Sequence, residues 1–193
     1  MIKLYDFDEI FKIKKVCDEN GLILHLDGAR LANAIVETNQ TFADFGSVFD
    51  SISFCLSKGL GAPVGSLLLG NSAFIKQARR VRKRFGGGWR QAGFLAAAGI
   101  YALDNHIVRL KEDHARAKEL AKIISSKAEI IDILPVETNI VIFQLAKGLL
   151  SNDYVEILKQ KGILAATFGK DKVRLVTHLD FTDEHLDGFR RVF

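Results

Sequence analysis

Apolar residues along the chain change their spacing several times, and each change predicts an element. Ile10, Ile13, Val16 and Cys17 recur at helical spacing between Asp6 and Asn20, and Asn20-Gly21 is a C-terminal stop. Positions 22–27 form a short apolar run ending in polar residues, the pattern of a buried strand. A second helix follows Gly28 through Leu31, Ala32, Ala34 and Ile35. Positions 51–56 read as another buried strand, 57–65 as a loop holding Gly59, Gly61, Pro63 and Gly65, and 66–69 as a third strand. This alternation predicts an α/β architecture with a largely parallel sheet.

Beyond it the pattern changes character. A basic helix over 71–85 is broken by Gly86-Gly87-Gly88, and a long helical stretch over 91–127 carries a kink near Asp104-Asn105. A strand at 139–145, a helix at 152–161, hairpin-like strands at 163–168 and 173–177 turning at Gly169-Lys170-Asp171, and a closing helix from Thr182 complete the chain. The division expected is a larger α/β part over 1–105, a connecting helix over 106–130 and a small α+β subdomain over 131–193.

With 193 residues, 48% hydrophobic and 26% charged, the chain has the composition of a folded protein with a sizeable core, which excludes disorder. Cys17 and Cys55 cannot form a disulfide framework and point to a reducing compartment. No apolar run reaches the ~20 residues of a membrane span, and the acidic, amphipathic start is unlike a signal peptide. A cytoplasmic protein without membrane contact is expected. The net charge of +4 is local: no Asp or Glu occurs between Asp50 and Asp104, where eight of the 27 cations lie. Those on the basic helix point all round it, and Phe74, Phe85 and Trp89 are not interleaved as a stacking platform. A solvated or subunit-facing helix therefore explains the charge better than nucleic-acid binding.

Lys58 is the only charged residue between positions 51 and 75, where an apolar strand enters a glycine-rich loop. A desolvated lysine there is an amine nucleophile; an ordinary one snorkels to the surface. Asp27 ends another apolar strand, and ligands of open α/β sheets gather at the carboxyl ends of strands. The plainer reading makes Asp27 a helix cap with Arg30 beside it. His25 and Asp27 lack the further ligands a metal site needs. The loop fails both nucleotide templates, because its spacing is G-x-G-x-x-x-G and its lysine precedes the glycines. Arg90 follows three glycines that let backbone approach an anion, and Arg174, in a subdomain strand, could clamp a carboxylate with two parallel hydrogen bonds.

Taken together, HLDGARL at 25–31, SKGLGAPVGS at 57–66, GGGWRQAG at 86–93 and VRLVTH at 173–178 resemble the low-specificity L-threonine aldolases, along essentially the whole chain and in the same order. The resemblance implies a fold of the aspartate-aminotransferase type, with the C-terminal part of its large domain followed by a small α+β subdomain, and pyridoxal 5′-phosphate as cofactor. It matches Lys58 to the lysine that forms the Schiff base and Asp27 to the carboxylate paired with the pyridine nitrogen. Arg30 and Arg174 match the arginines near the phenolic oxygen and the substrate carboxylate, and Arg90 a position near the cofactor phosphate. The activity implied is retro-aldol cleavage of threonine or allo-threonine to glycine and acetaldehyde, in a homo-oligomer, a homotetramer in the family.

Family members are considerably longer, so the resemblance also implies that the phosphate-gripping Gly-Thr loop, the ring-stacking His and several strands lie outside this sequence, which is then either a C-terminal fragment of such an enzyme or a chain completed by a separate N-terminal piece. The alternatives are an inactive relic of such an enzyme and another lyase or transaminase of the same fold.

Overall fold

In the computed structural model, which describes residues 3–193, the chain divides into two units, 3–108 and 109–193. The first begins with helix α1 (Phe7–Glu19), which opens where the Asp6 carboxylate accepts from the Asp8 amide and ends at Asn20, followed by Gly21 at φ 64°. Strand β1 (His25–Asp27) leads into the short helix α2 (Leu31–Ile35), whose Leu31, Ala32 and Ala34 are buried. Helix α3 (Phe42–Val48) follows a capping box in which Thr41 and Asp44 exchange backbone and side-chain hydrogen bonds, and buries Phe45 and Val48.

Strand β2 (Ser51–Cys55) is the buried centre of a three-stranded sheet of order β1-β2-β3, with β3 spanning Ser66–Gly70. β1 runs parallel to β2, with Asp27 beside Ser53, whereas β3 runs antiparallel, with Ser66 beside Cys55. The largely parallel expectation thus holds for one of these two pairs. The connection between β2 and β3 contains no helix, and a parallel return needs a crossover of a dozen or more residues. Helices α4 (Ser72–Arg84) and α5 (Gly93–Asn105) follow.

Two expectations fail here. The run 22–27 is not a buried strand: only His25–Asp27 is extended, Ile23 is 80% exposed, and both His25 and Asp27 are exposed. Among the described residues β1 lies at an edge of the sheet, with β2 as its one neighbouring strand. The long helix is also not kinked but broken, since α5 ends at Asn105 and α6 (Leu110–Ile124) starts afresh. Asn105 turns its side chain back to the Tyr101 carbonyl, and His106 leaves the helix to meet the Leu60 carbonyl.

The second unit packs α6, α7 (Ser151–Gln160) and α8 (Asp183–Val192) on an antiparallel sheet of β4 (Ile130–Ile133), β5 (Ile140–Leu145), β6 (Ala166–Thr167) and β7 (Lys172–Val176), in the order β4-β5-β7-β6. Val141, Phe143 and Leu145 alternate along β5 with Val173 and Leu175 of β7 to form the floor of one core. Leu120 and Ile124 of α6, Leu158 of α7 and Leu186 and Phe189 of α8 close over it. Gly169, at φ 89°, makes the β6–β7 turn that the sequence pattern predicts.

Candidate functional site

Because β1 and β2 are parallel, their carboxyl ends lie at the same edge of the sheet, and Asp27 and the loop carrying Lys58 leave from that edge. This is the switch-type geometry that puts loop side chains around a ligand. Directly after Asp27 the backbone must pass close to β2: a Cβ on Gly28 would lie 2.9 Å from the Ser53 carbonyl oxygen, so glycine is required there. The Asp27 carboxylate is fixed by a 3.2 Å hydrogen bond from the Ala29 amide to Oδ1, which leaves its second oxygen for a ligand. Arg30 stands at the start of α2 and is half-buried.

The Lys58 loop is tied at several points. The Leu56 amide donates to the Gly65 carbonyl at 3.0 Å, the Ala62 amide to Leu56 at 3.1 Å and the Gly61 amide to Lys58 at 2.9 Å. Gly61 and Gly65 take φ values of 69° and 124°, which side chains on Cα disfavour. Leu60, buried inside the loop, has its carbonyl 2.6 Å from His106 Nδ1. Of the two readings of Lys58, desolvated or at the surface, the structure takes the second: the residue is exposed, its Nζ 3.3 Å from Cys55 Sγ, itself 3.4 Å from Ser66 Oγ. A turn at the end of a three-stranded sheet leaves the amine open to solvent.

Cys55, Ser66 and His106 were not among the residues the sequence picked out. Cys55 lies three positions before Lys58, a spacing that could have suggested the contact, while His106 is far away in sequence and carries no local signal.

Arg90 is exposed, just before Gln91, which holds an unusual φ of 51°. A Cβ on the nearby Gly87 would meet the Arg82 side chain at 2.8 Å, so the glycine run lets the chain fold back on the end of α4. Arg174 belongs to the second unit, in β7 between Ile142 of β5 and Ala166 of β6. Its Nε is buried and has no hydrogen-bond partner among the described residues, and the same is true of Asn139 Oδ1. A buried guanidinium N–H without an acceptor is costly to leave unmade and fits a carboxylate ligand. Among the described residues, no three His, Cys, Asp or Glu side chains are grouped to hold a metal ion, and no helix is long and apolar enough to cross a membrane.

The first unit therefore offers an amine and a carboxylate at one sheet edge, and the second, separately, a buried arginine Nε without a partner among the described residues. The first pair fits a cofactor that needs an amine on its carbonyl carbon and a carboxylate on a ring nitrogen, and the arginine fits a carboxylate ligand.

Comparison with known proteins bears on this set. The family model described as beta-eliminating lyase matches residues 3–147. The low-specificity L-threonine aldolase of Escherichia coli K12 is 44% identical over 168 residues, covering 87% of this chain and 49% of that protein. The low-specificity L-threonine aldolase of Candida albicans is 38% identical over 185 residues, covering 95% of this chain and 48% of that one. The chain thus spans about half the length of the curated relatives it matches. Among solved structures, a putative L-allo-threonine aldolase of Listeria monocytogenes superposes with a TM-score of 0.79 at 23% identity, over 98% of this chain and 56% of that one. A probable N-succinyldiaminopimelate aminotransferase of Thermus thermophilus gives 0.69 at 19%, over 98% and 54%. These two likenesses show the fold.

Proposed function

Since the chain belongs to the beta-eliminating lyase family, we propose that it carries the lysine half of a site that holds pyridoxal 5′-phosphate and cleaves L-threonine or L-allo-threonine to glycine and acetaldehyde. The observation that carries this reading is the parallel pairing of β1 and β2, which sends Asp27 and the Lys58 loop out from one sheet edge. Lys58 Nζ supplies the amine that anchors the cofactor's carbonyl carbon. Asp27, held at Oδ1 by the Ala29 amide, keeps a proton on the ring nitrogen with its free oxygen. Arg30 would hold the cofactor's phenolic oxygen and Arg90 its phosphate. Arg174, with its Nε unsatisfied, would take the substrate carboxylate, and Arg30 is the other candidate for that role. When bound, the cofactor supplies an electron sink for the pair left on Cα as the Cα–Cβ bond breaks. The β-hydroxyl gives up its proton as the aldehyde leaves, and Cα gains one, so no oxidant or reductant is consumed.

A second reading is favoured by a particular feature. Among the described residues the sheet of the first unit has two open edges, and every residue of β3 is exposed, including Leu67, Leu68 and Leu69. A strand this apolar and uncovered suits a protein completed by further chain, either an N-terminal piece or another copy. The chain alone would then fold without catalysing.

The two are separated by incubating the chain with pyridoxal phosphate, reducing with borohydride and locating the adduct by mass spectrometry, with and without the N-terminal half of the E. coli relative. An adduct at Lys58 that vanishes in Lys58→Ala supports the cofactor site. An adduct formed only with the added half supports the completed protein. Labelling that ignores Lys58 under both conditions sinks the reading.

A further inference from the structure

Helix α8 has a glycine in its interior that packing does not explain. Gly188 costs the helix about 1 kcal/mol relative to alanine, yet a Cβ there would meet only Arg191 Nη2, at 3.8 Å, an ordinary contact. What Gly188 does is line a cavity of about 570 Å³ between α8 and the segment after α7, within the range of small-molecule sites. Its apolar wall includes Ile163, Leu175, Phe181 and Phe189.

The polar side of this cavity has a definite character. Lys161 and Arg191 line it, and neither has an ion-pair partner among the described residues, although neighbouring Arg190 is paired with Asp187. Glu184 is the one carboxylate in the lining. Two imidazoles add donors. His185 Nδ1 accepts from the Thr182 amide at 3.2 Å, and His178 Nδ1 from the Asp180 amide at 3.3 Å. Each neutral ring therefore carries its proton on Nε2 as a donor. His185 also stacks on Phe181, with centroids 6.0 Å apart and planes inclined by 29°.

We propose that this cavity of the second unit is a binding site for a small organic carboxylate with an aromatic or branched apolar body. The carboxylate meets Arg191 and Lys161 at the rim, and the body lies along Phe181 and Phe189 in the space that Gly188 leaves open. The proposal is independent of the cofactor reading, because the cavity is built from the second unit alone and shares no residue with the proposed site.

The test is titration of the full chain by ¹H–¹⁵N NMR with 3-phenylpropanoate, its neutral amide and inorganic phosphate. The expected result is saturable shifts of amides in 161–164 and 184–192, with a dissociation constant of about 1 mM or tighter. The neutral amide and phosphate should each bind at least about tenfold more weakly, since one lacks the charge and the other the apolar body. Gly188→Leu should abolish binding by filling the space, and Arg191→Gln should weaken it about tenfold. Gly188→Ala, which folds with less risk, should raise the melting temperature by about 3 °C. No saturable shift with the native chain overturns the proposal, as does equal binding of the neutral amide or of phosphate. Unchanged binding in both folded Gly188 variants overturns the role given to the glycine.

Discussion

The two units bury their apolar residues very differently. In the second, β5 and β7 lay down alternate residues, three helices cover them, and Val141, Phe143 and Val173 are fully buried. Arg109 and Arg116 add a ladder of ion pairs to Asp113 and Asp183. In the first, β2 is buried, but β1 is a three-residue edge, β3 is exposed at every position, and Phe94, Ile100 and Tyr101 of the apolar helix α5 are more than half exposed. The proposed chemistry belongs mostly to the unit with the poorer core. The edge proposed to hold the cofactor depends on one well-packed strand and one tied loop, and the rest of its apolar surface suits burial by further chain.

The sharpest way to break this contrast is to separate the units. A chain of residues 109–193 should melt cooperatively, whereas 3–108 alone should not, as read by thermal circular dichroism; a cooperative 3–108 would refute the comparison. Next in size is the second unit's core. Phe143→Ala should cost about 3–5 kcal/mol in denaturant unfolding, because a fully buried ring leaves a cavity that neighbours cannot fill. Removing Arg109 should cost a similar amount, about 3–5 kcal/mol, since it leaves the fully buried Asp113 carboxylate without its two hydrogen bonds of 2.6 and 3.2 Å. Asp113→Asn is the milder partner change, and a loss below about 1 kcal/mol in Arg109→Ala would show that Arg116 compensates.

In the first unit, Gly28→Ala should cost about 1–3 kcal/mol, because its Cβ would press on the Ser53 carbonyl. It should also lower labelling of Lys58 by pyridoxal phosphate, if β1 and β2 separate at their carboxyl ends. The smallest effects are in the pH dependence. Burial, assisted by Glu129, pushes the Tyr154 hydroxyl of the second unit up from 10 to about 12. A raised pKa means that its stabilisation is complete below pH 10 and is lost as the pH rises towards 12. Tyr154→Phe should flatten that decline in melting temperature. In the first unit, the Leu24 amide and then Lys14 hold the Asp50 carboxyl below its usual range. Its contribution is therefore present above its unfolded value near 3.8 and lost as the pH falls through the lower folded one. Asp50→Asn should reduce the acid sensitivity of the first unit and leave the second unchanged.

Much of the fold can be read from local pattern. Asn20-Gly21 ends α1, Asn71 caps α4, Thr182 opens α8, and Gly169 turns the β6–β7 hairpin, each through a local backbone preference. The elements missed were those with weak patterns. Helix α3 is seven residues with an internal glycine, and only its Thr41–Asp44 capping box marks it. Strand β4 is four residues long, and its pairing with β5 shifts register between Ile130 and Asp132, so its period is lost. Of the candidate site, Asp27 and Lys58 were legible because each is a charged residue at the end of an apolar run. Cys55 was legible only as a residue three positions before Lys58, and Ser66 not at all, because it reaches Cys55 only when β2 and β3 pair antiparallel.

What the sequence by itself determined was which residues could carry chemistry and where helices and turns begin and end, since capping, glycine geometry and apolar period act over a few residues. Exposure was decided only by the tertiary structure. An apolar run such as 22–27 or 66–69 is buried only if another element covers it, and whether one does depends on strand order, which no local pattern encodes.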